Sequence, residues 1–264
     1  GLFIGPGIAN LSRKYDTDLT PTGGTFSIWA IIYIWQAIWL TYAVVSIGRQ
    51  GAEGPLYRSP ILLPAFFFAI YIVANSFNIA WLFLWDRQHL TAAFIVLLGL
   101  VIALYACIGI SMAYLTRNLE FLNKNALSSE RWWIWIAVQN GLAIYATWAT
   151  VAAVLNLAIV LQYGSGVSRI TAGTIGLSIV LGVFLFWSIM ELIFLDAYAR
   201  YLFMPYLTLI WVFIGILVYH YNVDWTPSYR NAIITIVGII FVLVMTIIKF
   251  VFMFYRTFTK SPLK

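Results

Sequence analysis

Few groups in this sequence can do covalent or acid–base work. His89 and His220 fall at the ends of apolar runs, far apart, with no zinc-type spacing around either. Cys107 is the single cysteine and sits within an apolar run, which excludes an internal disulfide and a cysteine-based metal cluster and reads as a small packed hydrophobe. Glu191 is the one carboxylate inside an apolar run, near its end, where Arg200 or the membrane surface is its expected partner. An ionisable group at that depth is a functional candidate by default. These residues assemble no catalytic constellation and no metal site, and the chain is expected not to be an enzyme.

Amides and indoles at helical spacing carry more information. Trp29, Tyr33 and Gln36 recur at intervals of four and three, which stacks them on one side of a helix. Tyr71, Asn75, Asn78 and Trp85 do the same, with Trp81 adjacent, and Gly141, Tyr145, Trp148, Ala152 and Asn156 form a third stripe. Asn and Gln are costly toward lipid, so they point inward and bond to one another or to a ligand. Two readings stay open: interhelical hydrogen bonding with aromatic packing, or a pocket in which indoles stack on a planar apolar ligand and amides orient it.

The elements that must hold these stripes are membrane helices. Of the 264 residues, 63% are hydrophobic and 9% charged, with mean hydropathy +0.93, far from the soluble average of about 25% charged. Apolar runs of the roughly 20 residues needed to cross a bilayer predict an all-α fold, a polytopic transmembrane helical bundle of about seven spans. These are expected at Thr25–Ile47, Ile61–Trp85, Leu90–Leu115, Arg131–Leu161, Thr171–Leu195, Tyr201–Tyr219 and Asn231–Tyr255. Asp86 to His89 would form a tight hairpin turn, and 116–130 a polar loop. Trp132, Trp133 and Trp135 are read as interface anchors. No linker divides the chain, so 1–264 is read as a single transmembrane domain.

The net charge of +6 comes from Lys and Arg scattered through short connections, a topology signal and not a nucleic-acid surface. Arg13, Lys14, Arg87, Arg169 and Arg230 fall on one side. Twice as many fall on the other: Arg49, Arg58, Arg117, Lys124, Arg131, Arg200, Lys249, Arg256, Lys260 and Lys264. That side, with the C-terminus, is expected to be cytoplasmic, and the segment before the first span lumenal or extracellular. Asn10-Leu11-Ser12 is a sequon, so Asn10 is a glycosylation candidate on that outer segment. Three matches to a loose sterol-contact pattern, such as Leu195-Tyr198-Arg200, are expected by chance in a chain with 16 Tyr.

Three separated segments, in order, resemble the tryptophan-rich sensory protein or translocator protein family (TspO/MBR), especially its longer members. Pro21-Thr22-Gly23-Gly24-Thr25-Phe26-Ser27-Ile28-Trp29 with Tyr33 resembles the Pro-rich approach to the family's second helix. Asn78-Ile79-Ala80-Trp81 resembles its Asn-x-x-Trp third helix, and Trp148 through Leu155-Asn156 its fifth. The likeness covers about 21–162, leaves three additional helices at 171–256, and implies a further helix before Gly1, about eight spans in an intact chain. One Pro and one Trp of the usual Pro-Pro-Gly-Trp approach are missing, and Gln139-Asn140-Gly141 stands where a Pro commonly opens the fifth helix.

What the resemblance implies is a bundle with an internal cavity for a tetrapyrrole or a sterol. Its candidate ligand-binding residues are Trp29, Tyr33, Gln36, Asn75, Asn78, Trp81, Tyr145, Trp148 and Asn156. A receptor or sensor is the expected role. The alternatives are a small-solute transporter, or an accessory subunit docking through Phe184, Trp187, Phe194 and Trp211. Expected partners are the bilayer, an apolar small molecule, and a second copy or a larger membrane complex.

Overall fold

Apolar runs joined by short polar turns fold as helices that alternate in direction. The computed structural model describes residues 11–12, 14–51, 53–222 and 229–259. In chain order the elements are α1 (Gly23–Gly48, opening with a 3-10 turn), β1 (Gln50–Gly51), β2 (Gly54–Pro55), α2 (Ala65–Asp86), α3 (Leu90–Lys124), α4 (Ser128–Gly164), α5 (Arg169–Phe194), α6 (Asp196–Ala199), α7 (Met204–Asn222) and α8 (Tyr229–Thr259). Six of these helices are long and apolar enough to cross a bilayer, and α7 adds a shorter apolar helix, so the described residues form an all-α membrane bundle of six long apolar helices and one shorter one. We call its two ends after buried acids: α1, α3, α5 and α8 start at the Asp18 end, and α2, α4 and α7 start at the Glu130 end.

α4 is the central helix. From Asn140 to Ile159 nearly every side chain is buried, and α1, α3, α5 and α7 pack around it. Close approach is set by small residues: a Cβ added at Gly141 would lie 2.7 Å from Trp35 Cδ1, so α1 can lie against α4 only because that position has no side chain. Gln36 fixes the same contact. Its Nε2 donates to the Gly141 carbonyl at 2.7 Å, and its Oε1 accepts from Trp39 Nε1 at 2.7 Å and from the Tyr71 hydroxyl at 3.2 Å.

Several expected boundaries move. The hairpin at 86–89 is as expected, closed by Gln88 at φ 61°. α3, however, continues nine residues past Leu115 to Lys124. The polar run after Leu115 has no Gly or Pro to stop a helix, and it buries Leu119 and Leu122 on the core face. α4 accordingly starts at Ser128, which puts Glu130 in its first turn, where the helix dipole favours an acid. There Glu130 is buried, accepting from the Tyr42 hydroxyl at 2.9 Å and from Arg49 at 2.6 Å.

The start of α4 contains a π-helical stretch, Trp133–Gln139, which shifts the register of its side chains. Trp132 and Trp133 stay exposed, as anchors would, but Trp135 turns inward against the Tyr201 ring, with centroids 4.3 Å apart. The stretch ends at Asn140, whose amide is completely used. Nδ2 donates to the Trp135 and Tyr201 carbonyls at 2.9 and 2.8 Å, and Oδ1 accepts from the Phe203 and Met204 amides at 3.0 and 3.1 Å, capping α7.

Glu191 does not pair with Arg200. It is fully buried, bonded to Lys249 of α8 and accepting from the Tyr206 hydroxyl at 2.6 Å. Lys249 is therefore a core residue and leaves the topology count, whose sign is unchanged without it. Its ammonium also donates to the Ala199 and Arg200 carbonyls at 3.0 and 2.9 Å, tying α8 to the end of α6. Arg200 instead bonds Asp196, which also meets Arg256. Partial burial opposes ionisation of Asp196, but these two guanidinium groups outweigh it and hold its carboxyl below the usual range.

Candidate functional site

The indole stripes converge at the Asp18 end of the bundle. Trp29 of α1 stacks on Tyr33, with centroids 5.4 Å apart, and meets Tyr145 and Trp148 of α4 edge-on at 5.9 and 6.2 Å. Trp81 and Trp85 of α2 stack at 6.2 Å. Between these helices lies a cavity lined by Trp29, Trp81, Trp85, Trp148, Leu155 and Asn156, with Phe26 at its side. It encloses about 620 Å³ of space, its opening included. Among the described residues, none in the lining is charged.

The polar atoms around this space are unusual. Trp81 Nε1, Trp85 Nε1, Trp148 Nε1, Asn78 Oδ1, Asn156 Oδ1 and the Tyr145 hydroxyl are buried and make no hydrogen bond. Each such orphan costs about 1–3 kcal/mol, so a cluster of them is unexpected in a region whose only task is packing. Two of these side chains do bond elsewhere: Asn156 Nδ2 donates within its own helix to the Ala152 carbonyl at 2.9 Å, and Asn78 Nδ2 donates across to the Tyr33 hydroxyl of α1 at 3.2 Å.

Of the nine candidate residues, Trp29, Trp81, Trp148 and Asn156 line the cavity directly. Tyr33, Asn78 and Tyr145 touch or neighbour that lining, with Tyr33 half exposed on the outer side. Gln36 is committed to the α1–α4 contact, and Asn75 bonds back to the Tyr71 carbonyl at 2.8 Å. Trp85, which shares its stripe with Asn78, belongs in the lining. So do Ser12, Tyr15, Thr20 and Pro21, for which helical spacing gave no signal because they precede the first span.

Tyr15, Thr20 and Pro21 belong to a strap, 14–22, laid across the Asp18 end. Thr17, Asp18, Leu19 and Thr20 are buried in it. Asp18 accepts from Arg169 Nε at 2.7 Å and from Asn231 Nδ2 at 2.7 Å, its carbonyl lies 2.9 Å from His220 Nε2, and Asp16 bonds Arg169 at 2.8 Å. Arg169 stands in the first turn of α5, where the helix dipole disfavours a cation, so the two carboxylates offset that cost. Leu19 fits against Gly176, and the Thr22 amide donates to the Gly215 carbonyl at 3.0 Å. On the other side the Tyr15 hydroxyl donates to Gln88 at 2.8 Å, and its ring meets Trp85 at 6.0 Å.

Among the described residues no group of three His, Cys, Asp or Glu side chains could hold a metal ion. Cys107 is buried, with its thiol toward the Phe67 carbonyl at 3.7 Å. Of the candidate docking residues, Phe184 is buried, Trp187 half-buried, and Phe194 and Trp211 exposed, Trp211 donating to the Thr25 carbonyl at 3.0 Å. Asn10 lies outside the described residues. Compared with known proteins, residues 1–251 match the model of the family described as TSPO-like protein. No curated protein and no solved structure matches the chain.

Proposed function

The chain belongs to the TSPO-like protein family, and on that premise we propose that it is a membrane receptor or sensor that binds a planar, mostly apolar ligand, a tetrapyrrole or a sterol, beneath the strap. The observation that carries this reading is the set of orphaned indole N–H and amide oxygen groups around an uncharged aromatic cavity. Stacking against Trp29 or Trp148 contributes about 0.5–1.5 kcal/mol per ring. Each ligand polar atom that meets an orphan adds about 1 kcal/mol of net hydrogen bonding. The Glu130 end, richer in Lys and Arg, faces the cytoplasm in this reading.

The buried Glu191–Lys249 pair is the observation that favours transport. Lys249 spends its donors on Glu191 and on two carbonyls that tether α6, which describes a structural clasp better than a carrier of protons or ions.

The test is fluorescence titration of the protein in nanodiscs with protoporphyrin and, separately, a sterol analogue. Trp148→Phe, which keeps the ring and removes the N–H, should weaken binding about fivefold, the equivalent of about 1 kcal/mol. Trp148→Leu should weaken it further. Absence of saturable binding by folded wild-type protein to either probe sinks the proposal.

A further inference from the structure

A second space lies on another face of α4, between α3, α5 and α7, with Val151 lining both it and the aromatic cavity. It opens sideways between Tyr105 and Val183, both exposed on the bundle's outer surface, and runs inward past Thr150 to Phe184 and Pro205. It encloses about 500 Å³ of space, its lateral mouth included. The walls are apolar apart from Thr147, Thr150, the Tyr105 hydroxyl, which lies 3.3 Å from Thr150 Oγ1, and the Trp187 indole. Trp187 Nε1 is buried and has no partner.

Depth and charge identify what fits. At 1.5 Å per residue Trp187 lies about 27 Å along α5 from Arg169 at the Asp18 end, close to the far boundary of a hydrocarbon layer about 30 Å thick. Tyr105, counted the same way from Leu90, lies about 22 Å along α3. The space therefore occupies the leaflet on the Glu130 side, and its one orphaned donor sits where that leaflet changes from acyl chains to glycerol esters. The adjoining end of the bundle is the more basic one, complementary to a phosphate headgroup.

We propose that this crevice is a phospholipid site: an acyl chain of the Glu130-side leaflet enters between α3 and α5, and its ester carbonyl accepts from Trp187 Nε1. The crevice shares only Val151 with the lining of the aromatic cavity, and the proposal does not rest on what binds in that cavity.

The test reconstitutes the full chain in nanodiscs with a phosphatidylcholine carrying a diazirine in its acyl chain and maps the crosslinks after illumination. Wild type should label peptides around Tyr105 and Val183 several-fold more than the exposed face of α8 around Ile240. Val183→Trp, a lipid-facing change that fills the mouth, should lower that labelling at least fivefold, whereas Ile240→Trp should not. Trp187→Phe should release the last phospholipid retained after delipidation, counted by native mass spectrometry, while leaving the fold's circular dichroism unchanged. Labelling equal to that of α8, labelling indifferent to Val183→Trp, or displacement of the labelled lipid by a sterol in mixed discs would each overturn the assignment.

Discussion

Replacing Arg169 with Gln should loosen the strap without disturbing the bundle beneath it. Asp18 is fully buried and its carboxylate has two side-chain partners, Arg169 and Asn231. Removing one partner of a fully buried pair costs about 3–5 kcal/mol, because the remaining charge is stranded. Arg169 is one-third exposed, with side-chain relative exposure of 33%, and Asn231 still donates, so about 2 kcal/mol is the better figure. Because the strap opens locally, that loss appears as a rise of about 30-fold in its open fraction, at about 1.4 kcal/mol per factor of ten.

Hydrogen exchange reads this directly. The Thr20 and Thr22 amides, bonded to the Thr17 and Gly215 carbonyls, should exchange about 30-fold faster, and the amides of Asn140–Ile159 should not change. Protoporphyrin should also associate faster if the strap covers its site. The double variant Asp18→Asn/Arg169→Gln, which leaves Asp16 as the one carboxylate without its guanidinium partner, should recover part of the protection. Unchanged exchange in the strap, or an equal rise throughout α4, would refute the reasoning.

Three other outcomes follow from the same geometry. Lys249→Met should lower stability by about 3–5 kcal/mol by stranding Glu191, and Lys249→Met/Glu191→Gln should regain most of it, as read by thermal unfolding in detergent. Asn140→Ala should cost about 2–4 kcal/mol by the same measurement, since two amides at the start of α7 lose their acceptor. Because the sole native thiol, Cys107, is buried, an impermeant maleimide added to the cytoplasmic face of sealed membrane vesicles should label Glu53→Cys at once and Arg87→Cys only after permeabilisation; the reverse pattern would invert the proposed orientation.

What could be read from the sequence was what depends on neighbours three or four residues apart. The stripes of α1, α2 and α4 place Trp29, Trp81 and Trp148 on inward faces by helical period alone, and tertiary packing then brings those faces together. The spans were legible for a similar reason, since bilayer thickness sets their length. α3 overran its expected end because a membrane criterion stops at the first polar run, whereas a helix stops only at a residue that breaks it or at unsatisfied ends. Lys124, outside the apolar stretch, still lies in an unbroken helix.

The features that were not legible are those in which a polar group finds its partner across the fold. Lys249 looked like a topology signal because a lone cation near a span end ordinarily reaches the surface; only the arrival of Glu191 from α5 keeps it inside. Trp135 follows the same logic through a different cause, because a π stretch resets the helical phase and no count of 3.6 residues per turn crosses it intact. The strap is the strongest case. Its residues have no periodicity, yet Asp18 is buried through partners on α5 and α8 and a backbone contact from α7, helices that the family match over 1–251 also takes in. α5, α7 and α8 thus supply the anchors for the cover of an aromatic cavity built by α1, α2 and α4, and the two halves of the bundle are joined through one buried acid.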